Sequence, residues 1–271
     1  MSAGPPRLRV DPSLRRYLAP RVRDTDVPLE VDVPLRHLVP AAGLPLTEVG
    51  ALRVAGEEVG VDVRPRPGDV VVVEPVQRPQ PVAAWRFLLD VHLGSLARRM
   101  RLLGIDVDYS NSADDDELAA RAVAETRVLL TQDRGLLRRR VLAPDGGTTP
   151  VPDAGASSAT AGAWSGHPAR AADVLGRTAA EQLADVLDRF APPLAPLTLC
   201  AHCGGALVPA TKTEVADRLL PGTARTYDEF VRCTRCGKPF WRGAHADRLE
   251  ELVREAGPGG HRLRPGPSWA S

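Results

Sequence analysis

Two Cys-x-x-Cys pairs stand late in the chain, Cys200-Ala201-His202-Cys203 and Cys233-Thr234-Arg235-Cys236, with 29 residues between them. Each pair is a knuckle able to present two thiolates, and two knuckles complete a tetrahedral zinc site. Gly204-Gly205 and Gly237 allow the tight turns that knuckles need. Four thiolates leave no open position, so Zn²⁺ here is expected to be structural. A redox role would need a thioredoxin-like setting that the sequence lacks, and an iron–sulfur cluster is rarer than a ribbon at this spacing. His202 and His245 are expected to pack or face solvent, because the cysteines already fill the site. Lys212, Arg218, Arg225, Tyr227, Phe240 and Trp241 lie in or beside this module. Basic and aromatic residues together can hold single-stranded nucleic acid, but packing of the small ribbon by its aromatics is the preferred reading.

A second chemistry is carried by carboxylates. Asp90 follows the apolar run Phe87-Leu88-Leu89, and Asp133 follows Leu129-Leu130-Thr131-Gln132. The cluster Asp114-Asp115-Asp116-Glu117 stands between a strand-like stretch, Ile105 to Tyr109, and a helix. Parallel sheets build their sites outside the carboxyl ends of strands. Carboxylates gathered there repel one another unless a cation lies between them. Mg²⁺ or Mn²⁺ suits such a site, with few protein ligands plus water and a substrate phosphate. These ions activate water and stabilise in-line displacement at phosphorus. The plainer alternatives are that one of Asp114, Asp115 and Asp116 caps a helix, and that Asp133 is a turn residue. Arg98, Arg99 and Arg101 follow Asp90, and Arg134, Arg138, Arg139 and Arg140 follow Asp133. Cations beside metal ligands can bind phosphates flanking the scissile one, although charge runs are more often solvated faces.

These groups must be positioned by elements that hydrophobic spacing reveals. Leu8 to Val10 reads as a strand, Ser13 to Val22 as a helix, and Leu29, Val31 and Val33 alternate as a second strand from Pro28. Leu35 to Val39 reads as a short helix and Ala51 to Ala55 as a strand. Pro67-Gly68-Asp69 is a turn into the apolar run Val70 to Val73. This order suggests a small α+β grasp over residues 7–76, followed by a Pro/Gln linker at 77–84. From Trp85 strands and helices alternate. Leu93, Leu96, Ala97, Met100 and Leu103 keep helical spacing, and Gly104 is placed to end that helix in the left-handed conformation. Arg127 to Thr131 is a strand, Asp173 to Leu175 resumes structure, and Ala179 to Phe190 is a helix. The alternation predicts an α/β domain with a parallel sheet over residues 85–195. The Gly/Pro/Ser/Thr/Ala-rich stretch 143–169 is expected to be a disordered insertion, 196–250 a zinc module, and 257–271 a disordered tail.

The run from Asp90 to Asp106, with Val91-His92-Leu93-Gly94-Ser95-Leu96-Ala97-Arg98-Arg99-Met100-Arg101 at its head, resembles the opening of the Mut-seven C-terminal RNase family, a branch of the PIN-like nucleases. Arg127 to Arg134 is similar to its second block, and Glu181-Gln182-Leu183 with the cysteine module is similar to its later part. Residues 7–76 resemble the ubiquitin-like, sulfur-carrier-like domain often fused to these nucleases. The resemblance implies a PIN-like three-layer α/β/α sandwich and metal-dependent cleavage of RNA. It carries Asp90 and Asp133 over as Mg²⁺ or Mn²⁺ ligands and points to Asp115, or its neighbour Asp116, as a third. Sites of this type often hold a fourth acid, for which Asp173 is a candidate by chain order. Arg98, Arg101 and Arg134 are expected to meet substrate. Carrier chemistry needs a free Gly-Gly terminus, whereas Val76 runs straight into Gln77. A binding role, for RNA or a protein partner, is therefore expected of the front domain.

The bulk numbers set limits on function. A chain of 271 residues with 43% hydrophobic content can build two or three small cores, and 4% aromatics means Leu, Val and Ala fill them. A formal charge of +1 gives no global basic field. No apolar run approaches the ~20 residues of a membrane span. The first residues lack the apolar core of a signal peptide, so a cytoplasmic protein with reduced cysteines is expected. The rival to a ribonuclease is a catalytically inactive adaptor of the same fold that binds nucleic acid or protein. A toxin-type RNase is disfavoured by the two attached modules.

Overall fold

The computed structural model describes residues 4–20, 22, 25–146 and 164–241. His245, the expected tail at 257–271 and residues 147–163 of the expected insertion lie outside them. The chain runs β1 (Arg7–Val10), β2 (Asp26–Pro28), α1 (Leu35–Ala42), β3 (Val49–Val54), β4 (Glu57–Glu58), β5 (Val70–Pro75), β6 (Arg86–Leu89), α2 (Gly94–Leu102), β7 (Asp106–Tyr109) and α3 (Asp115–Ala124). It continues with β8 (Val128–Thr131), α4 (Arg134–Leu137), β9 (Ala171–Asp173), α5 (Ala179–Phe190), β10 (Leu207–Ala210), α6 (Lys212–Val215), α7 (Pro221–Thr226), β11 (Phe230–Cys233) and β12 (Pro239–Trp241). The architecture is mixed α/β, as the sequence predicts. Its contacts divide into two compact units, Met1–Ala83 with Asp115–Asp173, and Ala84–Asp114 with Val174–Ser271.

The first unit opens with a five-stranded sheet in the order β2-β1-β5-β3-β4. Strands β1 and β5 pair in parallel at its centre and the flanking pairs are antiparallel. This is the expected β-grasp. Leu8, Leu35, Val39, Leu52, Val71 and Val73 fill its core. Two local expectations change. The stretch from Ser13 is a 3-10 helix, Pro12–Tyr17, whose Ser13 amide and hydroxyl are capped by the Asp11 carboxylate. Its tighter winding turns Leu14 and Tyr17 into the core. The alternation after Pro28 does not make a strand, because Asp32 adopts a left-handed φ of 61° that breaks the extended backbone.

The expected insertion holds a further finding. Trp164 is 3% exposed, joins the β-grasp core and donates its indole N–H to the Val49 carbonyl at 2.8 Å. Ser165 donates to Glu58 from its amide and hydroxyl, and the Ala169 amide donates to the Pro81 carbonyl at 2.8 Å. The described end of the segment is thus packed structure, because one large aromatic ring outweighs the chain entropy that its small polar neighbours imply. The same unit holds α3, β8, α4 and β9, with β8 and β9 parallel and Thr131 in register with Asp173.

In the second unit β6 and β7 are parallel, with Leu89 in register with Tyr109. Helix α2 lies between them in sequence and packs on β7 and α5. Gly104 ends α2 with φ 76°, as expected, and a Cβ there would fall 1.9 Å from the Ala195 carbonyl oxygen. Helix α5 starts with a reciprocal cap, Thr178 with Glu181. The antiparallel sheet β10-β11-β12 forms the cysteine module.

Candidate functional site

The four cysteines are clustered so that they could hold a metal ion. Their sulfurs all lie within 4.8 Å of one another, with Cys200 and Cys236 at 3.8 Å and Cys203 and Cys233 at 3.4 Å. Four thiolates ~2.3 Å from a zinc ion stand about 3.8 Å apart, so the donor set and its spacing fit Zn²⁺. The two knuckles are built alike. Gly204 donates its amide to the Cys200 carbonyl at 2.8 Å, and Gly237 to the Cys233 carbonyl at 3.0 Å. Both glycines have positive φ, 73° and 69°. Gly205 is required for a different reason, since a Cβ there would lie 2.8 Å from the Cys233 sulfur. Burial pushes the Cys200 thiol up to about 12. Burial also works to raise Cys233, but the amides of Cys236 and Arg235 outweigh it and bring that thiol down to about 7. His202 is exposed and lies outside the ligand group, as expected. Trp241 stacks near Tyr227 and Phe230, with ring centroids 6.1 and 6.3 Å away, so it packs the ribbon.

Asp90 ends the β6 segment of the second unit and is 6% exposed. The chain turns there into a 3-10 helix, Val91–Leu93, whose Leu93 amide donates to the Asp90 carbonyl at 2.9 Å. Tyr109, at the matching end of β7, donates its hydroxyl to the Val91 carbonyl at 2.9 Å. Gly94 makes room for that ring, since a Cβ would stand 2.7 Å from the tyrosine oxygen. The turn that carries Asp90 is therefore fixed from both strands of its sheet. A carboxylate so buried demands compensation by hydrogen bonds or a cation.

The other predicted acids belong to the first unit. Asp133 sits two residues past β8 and caps α4, accepting the Gly135 amide at 2.6 Å through Oδ1. Asp115 and Asp116 open α3, and both meet Arg139: its Nη2 stands 3.8 Å from Asp115, and its Nη1 pairs with Asp116. Asp173 ends β9 beside Thr131, on the carboxyl edge that leads to Asp133. Two residues to which the sequence reading gave no role reach Asp173. The Tyr17 hydroxyl donates to Asp173 Oδ2 at 2.7 Å, and Glu48 Oε1 accepts the Asp173 amide at 2.9 Å. Glu48 is 3% exposed. Burial, then the Glu48 and Asp173 carboxylates, push the Tyr17 hydroxyl far above its ordinary range, so it stays a donor. The available signal was a lone acid in Pro45-Leu46-Thr47-Glu48-Val49, a short stretch that otherwise enters the core.

The arginines separate by exposure. Arg98 on α2 and Arg134 on α4 are exposed. Arg101 is 3% exposed and donates to the Val107 carbonyl at 3.1 Å and the His202 carbonyl at 3.0 Å. Its guanidinium thus ties β7 to the first knuckle instead of facing open surface. Burial lowers its pKa, with Asp108 opposing.

A family model described as Mut7-C RNAse domain matches residues 85–253, and one described as Mut7-C ubiquitin matches residues 7–81. No curated protein and no solved structure matches the chain.

Proposed function

The chain belongs to the Mut7-C RNAse domain family, and on that premise we propose that it is a metal-dependent ribonuclease that cuts within RNA chains. The observation that best supports this is the setting of its acids. Asp90 and Asp133 each follow a strand of a parallel pair at the carboxyl end, where open α/β sheets bind ligands. In this reading Asp90, Asp133 and Asp115 or Asp116 hold one Mg²⁺ or Mn²⁺, and the all-oxygen donor set suits those hard ions. When bound, the ion supplies an activated water and offsets charge developing at phosphorus. Arg98 and Arg134 hold phosphates on either side of the scissile one. Arg101, whose donors are engaged inside its unit, is left out of the substrate contacts.

One observation favours the rival reading, an inactive adaptor: Arg139 pairs with both Asp115 and Asp116. The magnitudes weigh against it. The three side chains are 34%, 48% and 87% exposed, and exposed ion pairs contribute ~0–1 kcal/mol. Arg139 therefore yields to a divalent ion at little cost. The cysteines, free of disulfides, suit a reducing compartment, and we place the protein in the cytoplasm. Among the described residues no helix is long and apolar enough to cross a membrane.

The test is incubation of the full chain with labelled single-stranded and structured RNA, with and without Mn²⁺, beside Asp90→Asn. Cleavage that needs the ion and disappears in the variant is expected. Equal turnover by wild type and Asp90→Asn refutes the metal-site assignment.

A further inference from the structure

The front domain reaches the same sheet edge that carries Asp133. Strand β9 ends on Asp173 in register with Thr131, and Asp133 follows Thr131 by two residues. Asp173 is gripped at two points by the β-grasp: its Oδ2 accepts the Tyr17 hydroxyl at 2.7 Å, and its amide donates to Glu48 Oε1 at 2.9 Å. The Tyr17 oxygen also lies 3.4 Å from Glu48 Oε2, and Thr47 donates its hydroxyl to Glu48 Oε1 at 3.3 Å. Arg16 and Arg134 place their guanidinium carbons 4.8 and 5.7 Å from the centre of the Tyr17 ring. Arg134 belongs to α4, the helix that Asp133 caps.

An interface needed only for adhesion has no use for this arrangement. Apolar residues of similar volume often replace buried charged groups with no loss of stability. What two carboxylates and a shared hydroxyl provide is direction: the hydrogen bond from Tyr17 to Oδ2 constrains how the Asp173 carboxylate is turned. Outer-layer partners of this kind orient metal-binding carboxylates. The same grip gives the ubiquitin-like domain a task that needs no free C-terminus, in a chain where Val76 continues into Gln77.

We propose that Tyr17 and Glu48 of the ubiquitin-like domain are positioning residues for Asp173, so that the front domain completes the acidic edge of the nuclease. This rests on the ribonuclease reading. The decisive variant is Tyr17→Phe in the full chain, which removes one hydroxyl and keeps the ring. Its kcat for Mn²⁺-dependent cleavage is expected to fall about tenfold, with a similar rise in the half-saturating Mn²⁺ concentration. KM for RNA is expected to hold and the thermal midpoint to fall only by what one buried hydrogen bond contributes, whereas a merely structural tyrosine would leave kcat and the Mn²⁺ midpoint of the folded protein unchanged. Glu48→Gln keeps an acceptor for the Asp173 amide while removing the charge and turning the other oxygen into a donor amide, and it is expected to lower kcat at unchanged KM. It also serves as the probe if Tyr17→Phe fails to fold. Wild-type kcat and Mn²⁺ midpoint in the variants overturn the proposal while leaving the ribonuclease reading intact. Absence of Mn²⁺-dependent cleavage in the wild type overturns both.

Discussion

Asp133 binds the Gly135 amide through Oδ1 as the cap of α4, and that cap does not use Oδ2. Its structural and chemical parts can be separated by substitution. Asparagine caps a helix as well as aspartate does, whereas alanine costs ~1 kcal/mol. Asp133→Asn is therefore expected to unfold at the wild-type denaturant midpoint and Asp133→Ala at a lower one. Both are expected to lose RNA cleavage by more than the ~10–100-fold that removal of an outer partner costs. An active Asp133→Asn with wild-type stability would leave Asp133 as a cap alone. The cysteine cluster is legible in the sequence because two Cys-x-x-Cys pairs have the spacing that a tetrahedral site requires, and Asp90 and Asp133 are legible as acids that follow strands. Tyr17 and Glu48 are not legible. Nothing local marks a tyrosine in a 3-10 turn as the partner of an aspartate 156 residues away. Arg101 misleads for the opposite reason: an arginine run on a helix reads as surface, yet its place after Met100 turns it inward beneath the first knuckle.

Elements with strong local signals form where the spacing puts them. Helix α5 covers the expected Ala179–Phe190 because Thr178 and Glu181 cap it and its apolar face is continuous. Helix α2 stops at Gly104 because no side chain fits beside Ala195. The elements that depart are those decided by tertiary partners. Alternation after Pro28 yields to the left-handed Asp32. Trp164 stands among glycines, alanines and serines, and composition averaged over that window conceals one ring that the β-grasp core accepts. Removing so large a buried side chain costs ~3–5 kcal/mol. Trp164→Ala is expected to lower the unfolding free energy of the full chain by about that amount, read by urea denaturation. A change of less than about 1 kcal/mol would mean the ring adds nothing to the core.

At the scale of the whole molecule, the order of β-grasp, α/β nuclease and cysteine ribbon is legible because each carries its own pattern. How the front domain contributes to the nuclease is not, since that depends on contacts across long sequence separations. The ribbon is expected to depend on its metal. Burial favours the protonated form of Cys200, whereas zinc ligation requires thiolates. Zinc binding therefore releases protons, and affinity falls as pH falls, about tenfold per pH unit for each proton displaced. Competition titrations at pH 6 and pH 8 check this, and a pH-independent affinity would contradict thiolate ligation. The claim on which the ribonuclease reading depends is that carboxylates from separate stretches of chain gather around one divalent ion. Diffraction from crystals soaked in Mn²⁺, measured at a wavelength where manganese scatters anomalously, tests it directly. The expected result is one strong peak within coordination distance of Asp90, Asp133 and either Asp115 or Asp116, with Arg139 displaced. Carboxylates turned away from one another, or an Arg139 that keeps its hold with no manganese beside it, would contradict the account.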